Sequence, residues 1–235
     1  VITPSVSVSV SVTGTSSLGC LSSNTAVSNI TVNTTPTLIV NSGSICSGNS
    51  FTLSPSGALT YTYSSGGAVV TPTSTSSYTV TGTSAEGCTA TPVVSNVTVN
   101  ITPTLSVNSA SICSGQSFTI NPTGASLFTV SGGTTVVSPT ITTNYTVTGG
   151  STAGCPASNT VVSAVTVNTL PIIAVNSGSI CSGTSFTINP SGANSYTYQG
   201  GSAVVSPTVT SSYTVIGSNA DGCVSASSAV SNVTV

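Results

Sequence analysis

No lysine, arginine, histidine, methionine or tryptophan occurs in the 235 residues, and the only carboxylates are Glu86 and Asp221. Charged residues make up 1% of the chain, where roughly 25% is ordinary. Each absence removes a class of function. With no side-chain cation, nothing can neutralise phosphates, which excludes electrostatic binding of nucleic acid, attraction to anionic membranes and phosphate-handling chemistry. Catalysis needs a group that moves protons near neutral pH, or a metal or cofactor in its place. His, Lys and paired carboxylates are missing. A Ser or Thr hydroxyl without a base stays unactivated, and a Cys without His or a cation is a poor thiolate. The expectation is a chain that is no enzyme and carries no cofactor. Glu86 and Asp221 sit two residues before Cys88 and Cys223, where Ala153 and Leu18 stand before Cys155 and Cys20. One carboxylate per site cannot hold Ca²⁺ firmly. With no C-x₂-C spacing and no His, zinc is disfavoured too, so no metal site is expected. No apolar run approaches the 18 or so residues of a spanning helix, so no membrane insertion is expected in this segment.

What is present is hydroxyl: 48 Ser and 43 Thr, about 39% of the chain. The 37% hydrophobic residues, raised to about 47% by the 23 Gly, fall within the globular range. Mean hydropathy is +0.45, and it comes from Val scattered among Ser and Thr.

Self-similarity organises the rest. Ile-Cys-Ser-Gly recurs at Ile45–Gly48, Ile112–Gly115 and Ile180–Gly183, and Gly-Cys at Cys20, Cys88, Cys155 and Cys223, a period of 67 to 68 residues. Cys46 to Cys88, Cys113 to Cys155 and Cys181 to Cys223 are each 42 apart. Three full repeats follow, 34–100, 101–168 and 169–235. Residues 1–33 are the second half of another, since Thr3-Pro4, Val12-Thr13-Gly14 and Cys20 match Thr71-Pro72, Val80-Thr81-Gly82 and Cys88 at a constant offset of 68. The chain is therefore expected to be an excerpt of a longer repetitive polymer, with further repeats as its first partners.

Within a repeat, Val, Ile, Thr, Tyr and Phe alternate with Ser and Thr at period two between Gly, Pro and Asn punctuation, the signature of short half-buried strands. In the third repeat strands are expected near Ile172–Val175, Ser185–Asn189, Ser195–Tyr198, Ala203–Ser206, Ser212–Gly217 and Ala229–Val235. Pro190-Ser191-Gly192, Gln199-Gly200-Gly201 and Asp221-Gly222 supply turns. Six or seven short strands in about 67 residues predict a small β-sandwich, so the fold class is all-β, a tandem array of immunoglobulin-like sandwiches. The aromatics recur in register and are read as core: Phe51, Phe118 and Phe186, then Tyr61, Phe128 and Tyr196, then Tyr78, Tyr145 and Tyr213. By analogy with a tyrosine corner, the hydroxyls of Tyr78 and its equivalents are expected to pin a strand to nearby backbone.

In their fixed order, Cys-Ser-Gly-x-Ser-Phe-Thr, Val-Val-x-Pro-Thr, Tyr-Thr-Val-x-Gly and Gly-Cys resemble the Ig-like, PKD-like tandem repeats of large secreted surface proteins of Bacteroidota, of the gliding-motility, adhesin and type IX secretion kind. The resemblance covers essentially the whole chain. It implies an extracellular, cell-surface stalk, secreted, with adhesive or enzymatic domains elsewhere. The charge depletion goes beyond what such repeats require.

An extracellular setting favours disulfides over free thiols. Pairing within each repeat, Cys46–Cys88, Cys113–Cys155 and Cys181–Cys223, is the simplest scheme. In an immunoglobulin-like strand order, however, the Ile-Cys-Ser-Gly loop joins the first two strands at the end where the chain leaves the repeat. Gly-Cys joins the last two strands at the opposite end. Strands of about seven residues separate those ends by roughly 23 Å, against a Cα limit of about 7 Å for a disulfide. The leaving end of one repeat faces the arriving end of the next, so the favoured bonds run between repeats, Cys46–Cys155 and Cys113–Cys223. Cys20, Cys88 and Cys181 are then left for partners beyond the excerpt. Bonds between chains are the third scheme.

The leading functional expectation is a structural segment of an extracellular filament or adhesin stalk, giving reach, stiffness and resistance to proteases that need Lys or Arg. The alternative is a glycan- or ice-binding module using exposed rows such as Thr71, Thr73 and Thr75, or Tyr63 and Tyr198. Sequons occur at Asn29, Asn33, Asn96, Asn100, Asn144 and Asn232. Seventeen Asn in so hydroxyl-rich a chain give about that number by chance. Need argues better for covalent glycans on Ser and Thr or for neighbouring filament chains as partners, because a nearly neutral surface and uncharged edge strands do little to prevent association. The linkers Asn33–Pro36, Asn100–Pro103 and Asn168–Pro171 each hold a stiffening Pro.

Overall fold

The computed structural model describes all 235 residues and consists of strands, turns and loops without a helix. Two compact units divide the chain, Val1–Thr102 and Pro103–Val235.

In the first unit, β1 (Val8–Val12) and β2 (Ala26–Ile30) form an antiparallel hairpin whose side chains are mostly exposed. The remainder is one sandwich: β3 (Gly43–Cys46), β4 (Phe51–Thr52), β5 (Thr60–Tyr63), β6 (Val69–Val70), β7 (Ser76–Thr83) and β8 (Val93–Asn100). The order β3-β8-β7-β5 makes one sheet and β4-β6 the other, with β3 parallel to β8 and the other pairings antiparallel.

The second unit repeats this plan twice. Its first sandwich holds β9 (Ala110–Cys113), β10 (Phe118–Thr119), β11 (Leu127–Val130), β12 (Val136–Val137), β13 (Thr143–Gly150) and β14 (Val161–Asn168). Its second holds β15 (Gly178–Ser179), β16 (Phe186–Thr187), β17 (Ser195–Tyr198), β18 (Val204–Val205), β19 (Ser211–Ser218) and β20 (Ala229–Thr234). The sheets are β11-β13-β14-β9 with β10-β12, and β15-β20-β19-β17 with β16-β18. A first strand that runs parallel to the last, across from a smaller sheet, defines an Ig-like β-sandwich. All sheets close within one sequence repeat.

The long strands follow from their alternation. Along β13 and β14 every second residue turns inward, and Val147, Ser163 and Val165 are fully buried. Each core is a small aliphatic set, in the first sandwich of the second unit Ile120, Val130, Val137, Val147 and Val165. Burial of one such side chain contributes about 1.5–3 kcal/mol. The aromatics ring this centre. Phe118, Phe128 and Tyr145 pack against it half-buried, as do their equivalents in the other repeats by burial. Val-x-Gly ends the third aromatic motif because the glycine lies under an aliphatic neighbour: a Cβ on Gly217 would come within 2.6 Å of Ile173 Cδ1 and 2.7 Å of Ala193 Cβ.

Two expectations change here. Ile172–Val175 forms only a single bridge, Ala174 to Ser191, while the short strand β15 lies just beyond it, in Gly-Ser sequence that carries no apolar alternation. The tyrosine hydroxyls that tie to backbone are those of Tyr61 and Tyr196. Each accepts from and donates to the residue three positions upstream, Ala58 and Ala193, while Tyr78, Tyr145 and Tyr213 make no such bond. The reason is placement. Tyr61 and Tyr196 stand on β5 and β17, immediately after the turns they brace.

Candidate functional site at the repeat junction

The cysteines are positioned by two recurring local devices, each built on neutral side chains that bond the backbone. The first aims the Ile-Cys-Ser-Gly cysteine. In the second unit, Ser106 bridges to Thr123 beside β10, and a few residues later the chain pairs with β14 as β9, so the segment between switches sheets. Asn108 sits at the switch. Its Nδ2 donates to Thr119 O at 2.9 Å and its Oδ1 accepts from Asn121 N at 2.7 Å. Its carbonyl accepts from Ser163 Oγ, fully buried on β14, at 2.7 Å. Ser109 Oγ accepts from Ala164 N at 3.0 Å. The same contacts recur around Asn41 with Ser95 and around Asn176 with Ser231. With β9 held parallel to β14, Cys113 comes into register with Asn168, the last residue of that strand. Ser114 N then donates to Asn168 O and the chain turns away.

The second device shapes the Gly-Cys loop between β19 and β20. Asn219 Oδ1 accepts from Asp221 N at 3.1 Å and Cys223 N at 2.8 Å, and its Nδ2 reaches Thr169 O at 2.9 Å. Gly222, at φ +79°, lets the loop turn. In the other repeats a serine does the work of Asn219: Ser84 and Ser151 accept from the amides of Cys88 and Cys155, and Ser16 from that of Cys20.

The two devices meet at a disulfide. Cys113 and Cys223 are joined, with Cα atoms 5.5 Å apart across a sequence separation of 110. Cys223 is fully buried. Ser111, Ile112, Cys113, Gln116, Asn168, Asp221 and Gly222 line a polar cleft of about 530 Å³ beside the bond. Cys46 and Cys155 are also disulfide-bonded, whereas Cys20, Cys88 and Cys181 are thiols, Cys20 and Cys181 exposed. The simple within-repeat scheme is overturned: Cys88 and Cys181 are unbonded, and Cys113 pairs with Cys223 rather than Cys155.

Other candidate residues stay apart. No group of three His, Cys, Asp or Glu side chains that could hold a metal ion occurs. Of the threonine row, Thr71 and Thr73 are exposed, but Thr75 Oγ1 accepts from Val99 N and so serves the strand end. Tyr63 and Tyr198 are half-buried on β5 and β17. Hydroxyls in register lie instead across the β5 and β7 pair, where exposed Thr60 opposes half-buried Thr83 and exposed Thr62 opposes half-buried Thr81. The Asn and Ser contacts that aim the cysteines escaped the reading of the sequence. Their signal is recurrence, Val-Asn-Ser at 40–42, 107–109 and 175–177, and Val-Ser at 94–95, 162–163 and 230–231.

No protein-family model and no curated protein sequence matches the chain. Among solved structures it is similar to a Ca²⁺-stabilized adhesin of an Antarctic bacterium, described as reaching out to bind ice, at 16% identity, covering 97% of this chain and 82% of that one with a TM-score of 0.35. It is similar also to a 1.5-MDa bacterial ice-binding adhesin, at 14% identity over 87% of this chain and 100% of that one, TM-score 0.34. The eight N-terminal Ig domains of Down Syndrome Cell Adhesion Molecule match at 12% identity over 94% of this chain and 39% of that one, TM-score 0.39.

Proposed function

We propose that this chain is a segment of an extracellular filament or adhesin stalk, in which Ig-like sandwiches in tandem provide reach and disulfides secure each repeat to the next. The observation that carries this reading is the Cys113–Cys223 bond between consecutive repeats. Stable disulfides belong to oxidising compartments, which supports a secreted, cell-surface location. No helix is long and apolar enough to cross a membrane. On repeat equivalence, Cys20, Cys88 and Cys181 are the positions for further repeats of the same polymer. The motif resemblance supports a surface protein of the Bacteroidota type. The lack of Lys and Arg supports resistance to trypsin-like proteases, and the hydroxyl-rich surface supports glycans on Ser and Thr or neighbouring filament chains as partners. A second reading, a glycan- or ice-binding face, is favoured by the uncharged Thr pairs across β5 and β7.

Negative-stain imaging of the purified, oxidised chain tests the first reading, with beaded threads expected. Compact particles in the images and a globular envelope in small-angle scattering would overturn it. Binding to a glycan array or to ice by one repeat would move the choice to the second.

A further inference from the structure

We propose that the Cys113–Cys223 bond is a mechanical bypass, carrying tension directly from the end of β9 to the loop before β20, so that the bodies of two successive repeats lie outside the load path. Its purpose rests on the stalk reading above; its geometry rests on this one bond.

The bond closes a loop of 110 residues while holding its ends 5.5 Å apart. Released and stretched, that loop would reach roughly 360–400 Å at 3.3–3.6 Å per residue. Strands β10 to β19 all lie inside it. Outside it, in the second unit, remain only the residues from Pro103 to β9 and those from Cys223 through β20 to the end. Tension along the unit can peel β9 from β14, and β20 from β19 and β15, and then the covalent link is taut. The pairings of β11 with β13 and of β17 with β19 carry none of the force. The extension this unit yields is then limited by connectivity, whatever the stability of its small aliphatic cores.

The placement of both cysteines supports such a role. Cys113 ends a strand that is parallel to the last strand of its own repeat, so it stands where the chain passes to the next repeat. Cys223 stands in the loop before the last strand of that next repeat and is fully buried, while Cys113 is half-buried. Bonds of this kind at every repeat would alternate into two covalent rails. The load path for two repeats would then shrink to the linker between a Gly-Cys and the following Ile-Cys, as from Cys88 to Cys113 or Cys155 to Cys181, 25 and 26 residues apart.

The test is single-molecule pulling on the full chain, with handles at exposed Ile101 (81%) and at Val235. With the bond intact about 24 residues separate the handles along the taut path, a full extension of roughly 80–90 Å. After reduction with a phosphine, or in Cys113→Ser, about 134 residues are released, giving roughly 440–480 Å. These handles make the difference independent of what Cys46 and Cys155 do. Full extension is reached whether or not a variant folds, and the comparison of oxidised with reduced wild type needs no variant. An oxidised chain that stretches as far as the reduced one would overturn the bypass. Threads in the images together with that result would leave the stalk reading standing, whereas a short taut path in a compact particle would remove the stalk and keep the bypass.

Discussion

Replacing Ser163 with alanine is expected to destabilise the middle sandwich by about 1–3 kcal/mol. Ser163 is fully buried, and its Oγ donates at 2.7 Å to the carbonyl of Asn108, which has no other partner. An exposed hydroxyl would be replaced by water at little cost. Here the deletion leaves a carbonyl unsatisfied at the point where the chain switches sheets, and a stranded buried group costs about 1–3 kcal/mol, more than the 0.5–1.5 kcal/mol net value of the bond itself. For a repeat of this size that is a fall in melting temperature of roughly 5–20 °C. The measurement is urea and thermal unfolding followed by tyrosine fluorescence under oxidising conditions, with Ser117→Ala, in an exposed loop, as a control expected within about 0.5 kcal/mol of wild type. Ser95→Ala and Ser231→Ala remove the same bond in the other repeats and should cost similar amounts. Because the bond anchors the segment leading into β9, Ser163→Ala should also quicken reduction of Cys113–Cys223 by dithiothreitol. A Ser163→Ala chain within about 0.5 kcal/mol of wild type, reduced at the wild-type rate, would refute the argument that this contact holds the switch.

Gly192→Ala should cost more than 3 kcal/mol, since at φ +97° its Cβ would lie 1.9 Å from Ile172 O, whereas Gly201→Ala, at φ +79° with open space around it, should cost only about 1 kcal/mol; the same unfolding measurements separate the two. Tyr196→Phe removes both bonds to Ala193 and should lose about 1 kcal/mol, while Phe128→Tyr, which restores the residue found at the equivalent positions 61 and 196, should be neutral or slightly stabilising. Peptic digestion without reductant should yield Cys113 linked to Cys223, with Cys20 and Cys181 alkylated in the folded protein; recovery of Cys181 linked to Cys223 would contradict the structure.

The sandwich was legible because its long strands carry their own pattern. Strands β7, β13 and β19 alternate with Tyr and Val at period two, and their alternation survives in the burial of every second residue. The loops were legible from Gly, and the position of each cysteine at opposite ends of a repeat followed from counting strands. The parallel strands β3, β9 and β15 were not. A strand of two to four residues, Gly-Ser or Ala-Ser-Ile-Cys, cannot display a period, and it exists because side chains elsewhere hold it against the last strand. The aromatics were visible but over-weighted. The phenylalanines on two-residue strands and the tyrosines near the start of the long ones are all half-covered, and the fully buried positions went to Ile120, Val147 and Val165 and their counterparts.

The hydroxyl content itself then reads differently. In a chain with no cation in any side chain, no ion pair is available to fix the register of a strand or the shape of a loop, and those tasks fall to neutral groups that address the backbone. Ser163 bonds a carbonyl at the sheet switch, Ser109 an amide on β14, Thr142 the amide of Val167 near that strand's end, and Ser151 the amide of Cys155 in the cysteine loop. Each has a counterpart at the same place in another repeat, Ser95, Ser42, Thr75 and Ser84. No buried side-chain nitrogen or oxygen is left without a partner. A fixed subset of the chain's Ser, Thr and Asn residues specifies one backbone path. That path sets Cys113 beside Cys223, where covalent chemistry takes over from neutral hydrogen bonds that are individually worth about 1 kcal/mol.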